Sequence, residues 1–155
     1  MELVDKMDNV NRVTHLGQVY HVPTIEPEEG CKVKYIEHIL KKGPAVICSK
    51  HTSVIRYLEK RFDLPAITGK TTQAGRVKAL KVFEEKGALL ITEKSAGVGL
   101  CLQRAHHLIF VEPNMKNKCQ VVGRIKRIGQ KKNIKLWTLV YKNTIDENNY
   151  EATFL

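Results

Sequence analysis

The chain has 155 residues, of which 43% are hydrophobic and 27% are charged. This length fits one domain with a substantial core and is too short for two, and the composition argues against extensive disorder. The 26 basic residues outnumber the 16 acidic ones, so the net charge is +10. Such a charge favours a polyanionic partner, such as nucleic acid or an acidic membrane face, although a merely solvated basic surface is the alternative.

Neither the start of the chain nor its cysteines indicate export or membrane insertion. The first ten residues lack the apolar stretch of a signal peptide, and no apolar run is long enough to span a bilayer. We therefore expect an intracellular protein of the nucleus or cytoplasm, of cellular, viral or phage origin, with no membrane partner and no metal ion held by its own ligands. Four cysteines lack paired spacing and are expected to be buried, reduced thiols: Cys31, Cys48, Cys101 and Cys119.

The first thirty residues differ in character from the rest of the chain. They are polar and turn-rich, and only residues 19–22 suggest a short extended piece. We expect residues 1–30 to be a lead-in segment or the end of an upstream domain. Residues 31–155 would then form one folded lobe, with a closing helix that starts within 145–155.

From residue 31 onward, helical and extended patterns alternate. Continuous apolar runs predict strands that are buried on both faces, and apolar residues at helical spacing, such as Val77, Leu80 and Phe83, predict helices. The predicted order is a helix at 31–40, a strand at 45–49, a helix at 51–61, a strand at 66–68, a helix at 73–86, a strand at 88–92, a glycine-rich turn at 95–99, a strand at 107–112, a basic helix at 117–128 and a strand at 134–140.

This alternation with short connections predicts an α/β fold, with a parallel sheet covered by helices on both faces. Ligands of such sheets bind outside the carboxyl ends of the strands. The turns after residues 49, 68, 92 and 112, together with the basic helix, are therefore the candidate site.

The basic helix carries the most informative pattern, QVVGRIKRIGQ at 120–130. Arg124 and Arg127 are three residues apart, so both guanidinium groups leave one side of a helix and suit a polyphosphate. Gly123 permits a close approach of the backbone to a neighbour, and Gly129 can end the helix. Residues 116–135 hold eight basic and no acidic residues. A solvated basic face is the alternative, but it would not require glutamines and glycines at these places.

The same stretch resembles motif VI of Swi/Snf-type superfamily-two helicases, whose usual form is Q-A-x-x-R-x-x-R-I-G-Q. Residues 91–105 are similar to motif V of that group. Four further segments, at 45–51, 67–76, 107–113 and 139–148, resemble other segments of the family and follow in its order. The chain departs from the family at four places: Ala96 stands for the usual Gly, Cys101 for Asn and Lys126 for His, and the turn after Pro113 lacks the usual Trp.

This resemblance implies the second, C-terminal RecA-like lobe of an ATP-dependent DNA translocase. ATP with Mg²⁺ would be bound mainly by a first lobe, in the same or another chain. Arg124 and Arg127 would act as arginine fingers on the phosphates, Gln120 would order the site, and the nucleotide side would be lined by Gly97, Gly99 and Gly123. The backbone of a tracked strand of duplex DNA would be contacted by Ser49, His51, Thr71, Arg76 and Thr92.

The sequence itself offers no phosphate cradle. Gly69-Lys70-Thr71 resembles the end of a Walker A loop, but Leu64 stands where that loop requires glycine. Asp146-Glu147 follows polar residues, so these acids are expected at a helix N-terminus rather than on magnesium. We therefore expect no ATP turnover by this chain alone. Two other hypotheses remain: a non-enzymatic basic nucleic-acid binding module, and a regulatory lobe that pairs with a partner protein.

Overall fold

The computed structural model describes residues 11–15, 18–25, 32–97, 102–126, 133–142 and 144–154. The strands are β1 (Asn11–His15), β2 (Gln18–Val22), β3 (Thr24–Ile25), β4 (Ala45–Ser49), β5 (Ala66–Ile67), β6 (Ala88–Thr92), β7 (His107–Phe110), β8 (Lys135–Thr138) and β9 (Val140–Tyr141). The helices are α1 (Lys32–Leu40), α2 (Thr52–Phe62), α3 (Gln73–Lys86), α4 (Lys118–Ile125) and α5 (Ile145–Phe154), and a 3₁₀ helix, Glu93–Gly97, follows β6. Among the described helices, none has the length and apolar character needed to cross a membrane.

The main sheet has seven strands in the order β1-β2-β8-β7-β4-β6-β5. Only β1 and β2 pair antiparallel, and the six strands from β2 to β5 along the sheet run parallel. A second, two-stranded sheet pairs β3 with β9. The order of helices and strands from α1 to β8 agrees with the sequence prediction. The expected single RecA-like lobe with a parallel sheet is confirmed.

The sheet buries a hydrophobic cluster on each of its faces. Along β4, Val46 and Cys48 belong to one cluster and Ile47 to the other, because successive residues of a strand point to opposite faces. The first cluster is covered by α3 and α4 through Ala79, Phe83, Val121, Val122 and Ile125. The second is covered by α1 and α2 through Tyr35, Ile36, Ile39, Ile55 and Leu58. Helices therefore lie on both faces, as the apolar strand runs predicted.

Strand β2 lies within the segment that was expected to be a lead-in. Tyr20 pairs with Leu136 of β8, and His21 pairs with Trp137, in parallel register. Tyr20 and Val22 are both buried in the first cluster. The sequence QVYHV predicted only a short extended piece, because nothing in it indicates which strand it would pair with.

Helix α3 packs two of the three residues predicted to face inward, Leu80 and Phe83, against the first cluster, but not Val77. Ala79 and Phe83 face the core, whereas the side chain of Val77 is 60% exposed. Six residues turn a helix by about 600°, so Val77 lies roughly 120° away from Phe83 around the axis. The prediction that Val77 shares a face with Phe83 is wrong, and the small Ala79 takes the inward position.

The cysteines agree only in part with the expectation of buried thiols. Cys48 is a buried free thiol in β4, and burial raises its pKa. Cys119 is a free thiol in α4, but its side chain is exposed, so that expectation is wrong there. Cys31 and Cys101 lie outside the described residues.

Candidate functional site

The carboxyl ends of the parallel strands form one edge of the sheet, here called the carboxyl edge (residues 49–51, 68–71, 92–95 and 111–113). Ser49 at the end of β4 pairs with Thr92 at the end of β6. The other neighbour of β4 is β7, which ends at Phe110 and leads directly to Val111 and Glu112. Four of the five predicted nucleic-acid residues therefore lie along this edge, at or directly after the ends of β4, β5 and β6, and the fifth, Arg76 of α3, donates to the Thr68 carbonyl there.

Glu112 organises the turn between β4 and α2. Its Oε1 atom accepts hydrogen bonds from Ser49 Oγ at 2.7 Å and from the Lys50 backbone N at 3.2 Å. Ser49 Oγ accepts in turn from the His51 backbone N at 3.1 Å. The hydroxyl of the fully buried Ser49 is thus used within the chain. The His51 ring is 60% exposed, with Nε2 at 3.7 Å from Glu112 Oε1, and Lys50 beside it is exposed too, so both side chains can be reached by an external phosphate.

The carboxyl group of Glu112 is placed where a full negative charge is costly. Its Oε2 atom is buried and has no hydrogen-bond partner among the described residues. Burial raises the pKa of Glu112 above 4.5, although the Ser49 hydrogen bond and the nearby His51 and Lys32 oppose this shift. Glu112 directly follows an apolar strand in the sequence, but nothing in that pattern indicates its link to Ser49 across 63 residues.

We expect Glu112→Gln to change the pH dependence of stability. Since folding raises the pKa of this carboxyl, the unfolded chain releases the proton more readily, and wild-type stability falls as the pH rises above about 4.5. The loss is complete once the pH exceeds the raised pKa. The variant lacks this loss. In urea denaturation, its free energy of unfolding relative to that of the wild type should therefore be higher at pH 8 than at pH 5. Glu85→Gln, at an exposed position of α3, is the control. Equal differences at both pH values would contradict this account of Glu112.

A second polar network holds the turns after β5 and β6. Thr92 Oγ1 donates to Ser95 Oγ at 3.0 Å, and Ser95 Oγ lies 3.0 Å from the Ile67 carbonyl, which accepts from it. Both hydroxyl groups are buried. This network joins the start of the 3₁₀ helix to the neighbouring strand β5, so Thr92 supports the shape of the turn that carries Gly97.

Thr71 and Arg76 complete the turn between β5 and α3. Thr71 Oγ1 accepts from the Thr68 backbone N at 2.9 Å, and Arg76 Nη2 donates to the Thr68 carbonyl at 3.5 Å. Arg76 is half-buried, and its Nη1 atom is buried with no hydrogen-bond partner among the described residues. Thr71 therefore shapes the turn, and Arg76 brings a charged group with one unused nitrogen to the carboxyl edge.

A buried ion pair ties α5 to this edge. Lys32 Nζ lies 2.5 Å from Asp146 Oδ2 and donates to the Val111 carbonyl at 2.6 Å. Asp146 also accepts from the Tyr141 backbone N at 3.3 Å. Asp146 and Glu147 occupy the first turn of α5, as the sequence predicted. Asp146 is thus a structural acid, consistent with its favourable place at a helix N-terminus.

Helix α4 lies directly beside the 3₁₀ helix. Glu93 Oε1 accepts from the Asn117 backbone N at 2.8 Å, where α4 begins. The backbone N of Leu102 donates to the Arg124 carbonyl at 3.3 Å, near the end of α4. The Arg124 backbone therefore lies beside Leu102, five residues after Gly97 in the chain. Gly99 and Arg127 lie outside the described residues.

The α4 outer face is formed by Cys119, Gln120 and Gly123, with Arg124 at its margin. The first three residues are exposed and Arg124 is half-buried, whereas the opposite side of the helix packs into the core. A Cβ atom built at Gly123 would meet nothing within 4 Å. The close approach expected at Gly123 is therefore not made to any described part of this chain, and the α4 outer face is accessible to a second body.

Two lysines of the basic 116–135 window are drawn into the fold. Lys118 is 4% exposed, and its Nζ donates to the Pro113 carbonyl and lies 5.8 Å from the ring centres of Tyr20 and Phe110. Burial lowers the pKa of Lys118 to about 7. Lys135 lies over the Trp137 ring. The idea that this window is simply a solvated charged face is therefore incorrect for these two positions.

The fold and the polar carboxyl edge define a single RecA-like lobe, and sequence comparison gives its family. Residues 31–130 match the family described as the helicase conserved C-terminal domain, and the chain belongs to that family. The C-terminal part of the Fun30 ATPase domain has the same fold, with a TM-score of 0.68 and 24% identity. That similarity covers 79% of this chain and 44% of the other.

Several DNA-related proteins contain a similar segment. DNA repair protein RAD5B of Arabidopsis thaliana is 34% identical over 128 residues, which are 74% of this chain and 10% of that protein. DNA excision repair protein ERCC-6-like of Mus musculus is 27% identical over 89% of this chain and 12% of its own length. TATA-binding protein-associated factor MOT1 of Saccharomyces cerevisiae is 30% identical over 72% of this chain and 7% of its own length. These relatives confirm the Swi/Snf-type resemblance, and the chain spans roughly a tenth of their length.

Proposed function

We propose that this chain is the second lobe of an ATP-dependent DNA translocase of the Swi/Snf type. In this proposal it supplies arginine fingers and DNA-backbone contacts to a reaction that a first lobe completes. The observation that carries the proposal is the α4 outer face, where Gln120 and Gly123 are exposed beside Arg124 and no described residue covers Gly123. Such a surface fits a partner lobe with a nucleotide between the two bodies.

The chemistry divides between the two lobes. The first lobe would hold most of the ATP with Mg²⁺, which neutralises charge on the phosphates. Arg124 and Arg127 would approach the γ-phosphate on closure and stabilise the charge that develops as the bond to the leaving oxygen breaks. Gln120 would order this contact, and Gly97, Gly99 and Gly123 would let backbone come close to the nucleotide.

DNA would bind along the carboxyl edge. The exposed His51 ring suits phosphate oxygens there, whereas the Arg76 Nη1 atom is buried and would contact a phosphate only after its side chain turned outward. Ser49, Thr71 and Thr92 use their hydroxyl groups internally, so we assign them to shaping the turns that meet the strand. The partner would be duplex DNA, and by analogy with the DNA repair relatives the complete two-lobe protein would act in the nucleus.

The test compares the chain alone with the chain joined to a first lobe. We expect no ATP turnover by the isolated chain, with or without duplex DNA, and DNA-stimulated turnover once the first lobe is present. A first lobe that hydrolyses ATP equally well without this chain would overturn the proposal. The regulatory hypothesis instead predicts that this chain co-purifies with a separate partner lobe and inhibits it.

The basic binding module remains the second candidate, because the chain carries a net charge of +10. It predicts micromolar or tighter DNA binding by the isolated chain, with log Kd changing with log salt by about 0.9 per phosphate neutralised. The lobe hypothesis predicts weak binding by the isolated chain. DNA binding measured at several salt concentrations therefore separates the two hypotheses.

Substitutions at Gly123 should separate folding from lobe docking. Gly123→Ala should stabilise the isolated chain by roughly 0.5–1 kcal/mol, because alanine favours a helix and the added Cβ meets open space. Gly123→Leu should also fold, but in the joined protein it should lower DNA-stimulated ATP turnover by obstructing closure. Ala74→Leu, at an exposed position of α3, is the control. Unchanged turnover for Gly123→Leu would place the α4 outer face away from the partner.

A further inference from the structure

A pocket of about 300 Å³ opens at the amino ends of β7 and β8, on the opposite edge of the sheet from the carboxyl edge. Its lining residues are His21, His106, His107, Asn133, Ile134 and Lys135. His107 and Lys135 are the first residues of their strands and pair directly across the sheet. The Pro44 carbonyl accepts from the backbone N atoms of His106 and His107 at 2.8 and 3.0 Å, which fixes this end of β7. The proposed ATP and DNA contacts use none of these residues.

The protonation of His107 is set by its neighbours. Trp137 Nε1 donates to His107 Nδ1 at 3.2 Å, and an indole N–H can only donate, so Nδ1 carries no hydrogen. Burial, together with the charges of Lys135, His106, Lys42 and His21, lowers the pKa of His107 to about 4. At neutral pH the ring is therefore uncharged with its hydrogen on Nε2. His107, which lines the pocket, thus carries its single N–H in a fixed tautomer.

The pocket lining carries one lysine, Lys135, and no acidic side chain. Every titratable side chain that lines it is a histidine or a lysine. The Trp137 ring lies under the Lys135 ammonium at 5.3 Å and beside the His21 ring at 5.2 Å. This packing reduces the entropy lost when Lys135 binds a ligand. The Asn133 amide adds a further donor at the same wall.

We propose that this pocket binds a phosphate-type oxyanion. Neutral imidazole, amide and ammonium groups supply the donors that phosphate oxygens accept, and no acidic side chain of the lining opposes them. A metal ion fits less well, because the described residues contain no group of three ligands that could hold one. The volume accommodates a phosphate group with part of the molecule that carries it.

The test follows the histidine ring signals of the isotopically labelled 155-residue chain by NMR. The titrant is sodium phosphate at constant ionic strength, with sodium acetate and a short DNA duplex in parallel titrations. We expect saturable shifts of the His106 and His107 signals with phosphate at millimolar concentration, and a rise in the pKa of both rings on binding. Lys135→Gln should weaken phosphate binding by about threefold, as expected for a partly exposed charge pair. Lys81→Gln, an exposed position on α3, should leave it unchanged.

The outcomes separate the possible sources of the phosphate. If the duplex shifts the signals at a lower concentration of phosphate groups than free phosphate requires, the site binds a nucleic-acid backbone. If only free phosphate shifts them, the site binds a small phosphorylated molecule. Either outcome supports the proposal. Acetate binding as tightly as phosphate, or equal effects of Lys135→Gln and Lys81→Gln, would overturn it.

Discussion

Replacing Arg124 or Arg127 by alanine in the joined two-lobe protein is expected to lower DNA-stimulated ATP turnover by about 10³-fold or more, the range known for arginine fingers. The loss should fall mainly on kcat, because the guanidinium groups act on charge that develops in the transition state. Steady-state ATP hydrolysis with saturating duplex DNA measures this effect. Arginine-to-lysine variants should recover little, since lysine lacks the planar fork that two phosphate oxygens accept.

Lys126 provides a matched control for these variants. It is exposed at the end of α4, and its Nζ donates to Gln18 Oε1 at 2.6 Å, away from the 3₁₀ helix. Lys126→Ala removes one positive charge from the same region and should change turnover by only about twofold, the scale of a surface charge contact. If Lys126→Ala were as damaging as Arg124→Ala, the effect would reflect total charge rather than a specific contact. If Arg124→Ala and Arg127→Ala both retained turnover, the proposed arginine fingers would be incorrect.

Phe83→Ala is expected to lower the free energy of unfolding by about 3–5 kcal/mol, because it leaves a cavity under α3. Phe83 is among the largest fully buried side chains and packs in the first cluster, between the helix and the sheet. Whole domains of this kind are stable by only about 5–15 kcal/mol, so the variant should be visibly destabilised. Chemical denaturation followed by circular dichroism is the measurement.

Val77→Ala is the matched control on the same helix. Its side chain is largely exposed, so the free energy of unfolding should change by no more than about 0.5 kcal/mol. The sequence pattern gave Val77 and Phe83 the same role, and the structure separates them. A loss at Val77 comparable with that at Phe83 would mean that α3 is rotated about its axis relative to the structure described above.

The element order could be predicted because each signal is local. The runs AVICS and ALLIT are apolar throughout, which suits strands buried on both faces, and both form five-residue strands. Gly87 ends α3 in the left-handed conformation that glycine favours, so the end of this helix could also be predicted from the sequence. The pairing of β2 with β8 could not be predicted, because it joins residues more than a hundred positions apart and no local pattern records that contact.

The sequence predicted where several candidate residues lie in the fold, but not which contacts they make within it. Motif spacing placed Ser49 and Thr92 at strand ends, and they are indeed neighbours in the sheet. It did not reveal that Ser49 donates to Glu112, since a serine can turn either toward solvent or inward with the same sequence around it. Likewise, nothing in the local sequence distinguishes the buried Lys118 from the exposed Lys116. Such differences depend on long-range packing.

The place of β2 in the main sheet bears on how shorter fragments should be designed. A fragment that starts at residue 31, where the family match begins, would lack β1 and β2 and leave β8 with an open side. Unpaired N–H and C=O groups along a hydrophobic strand invite edge-to-edge association between molecules. The same cut would uncover the core residues against which Tyr20 packs. We therefore expect such a fragment to self-associate on purification, whereas one that retains residues 11–25 should remain monodisperse.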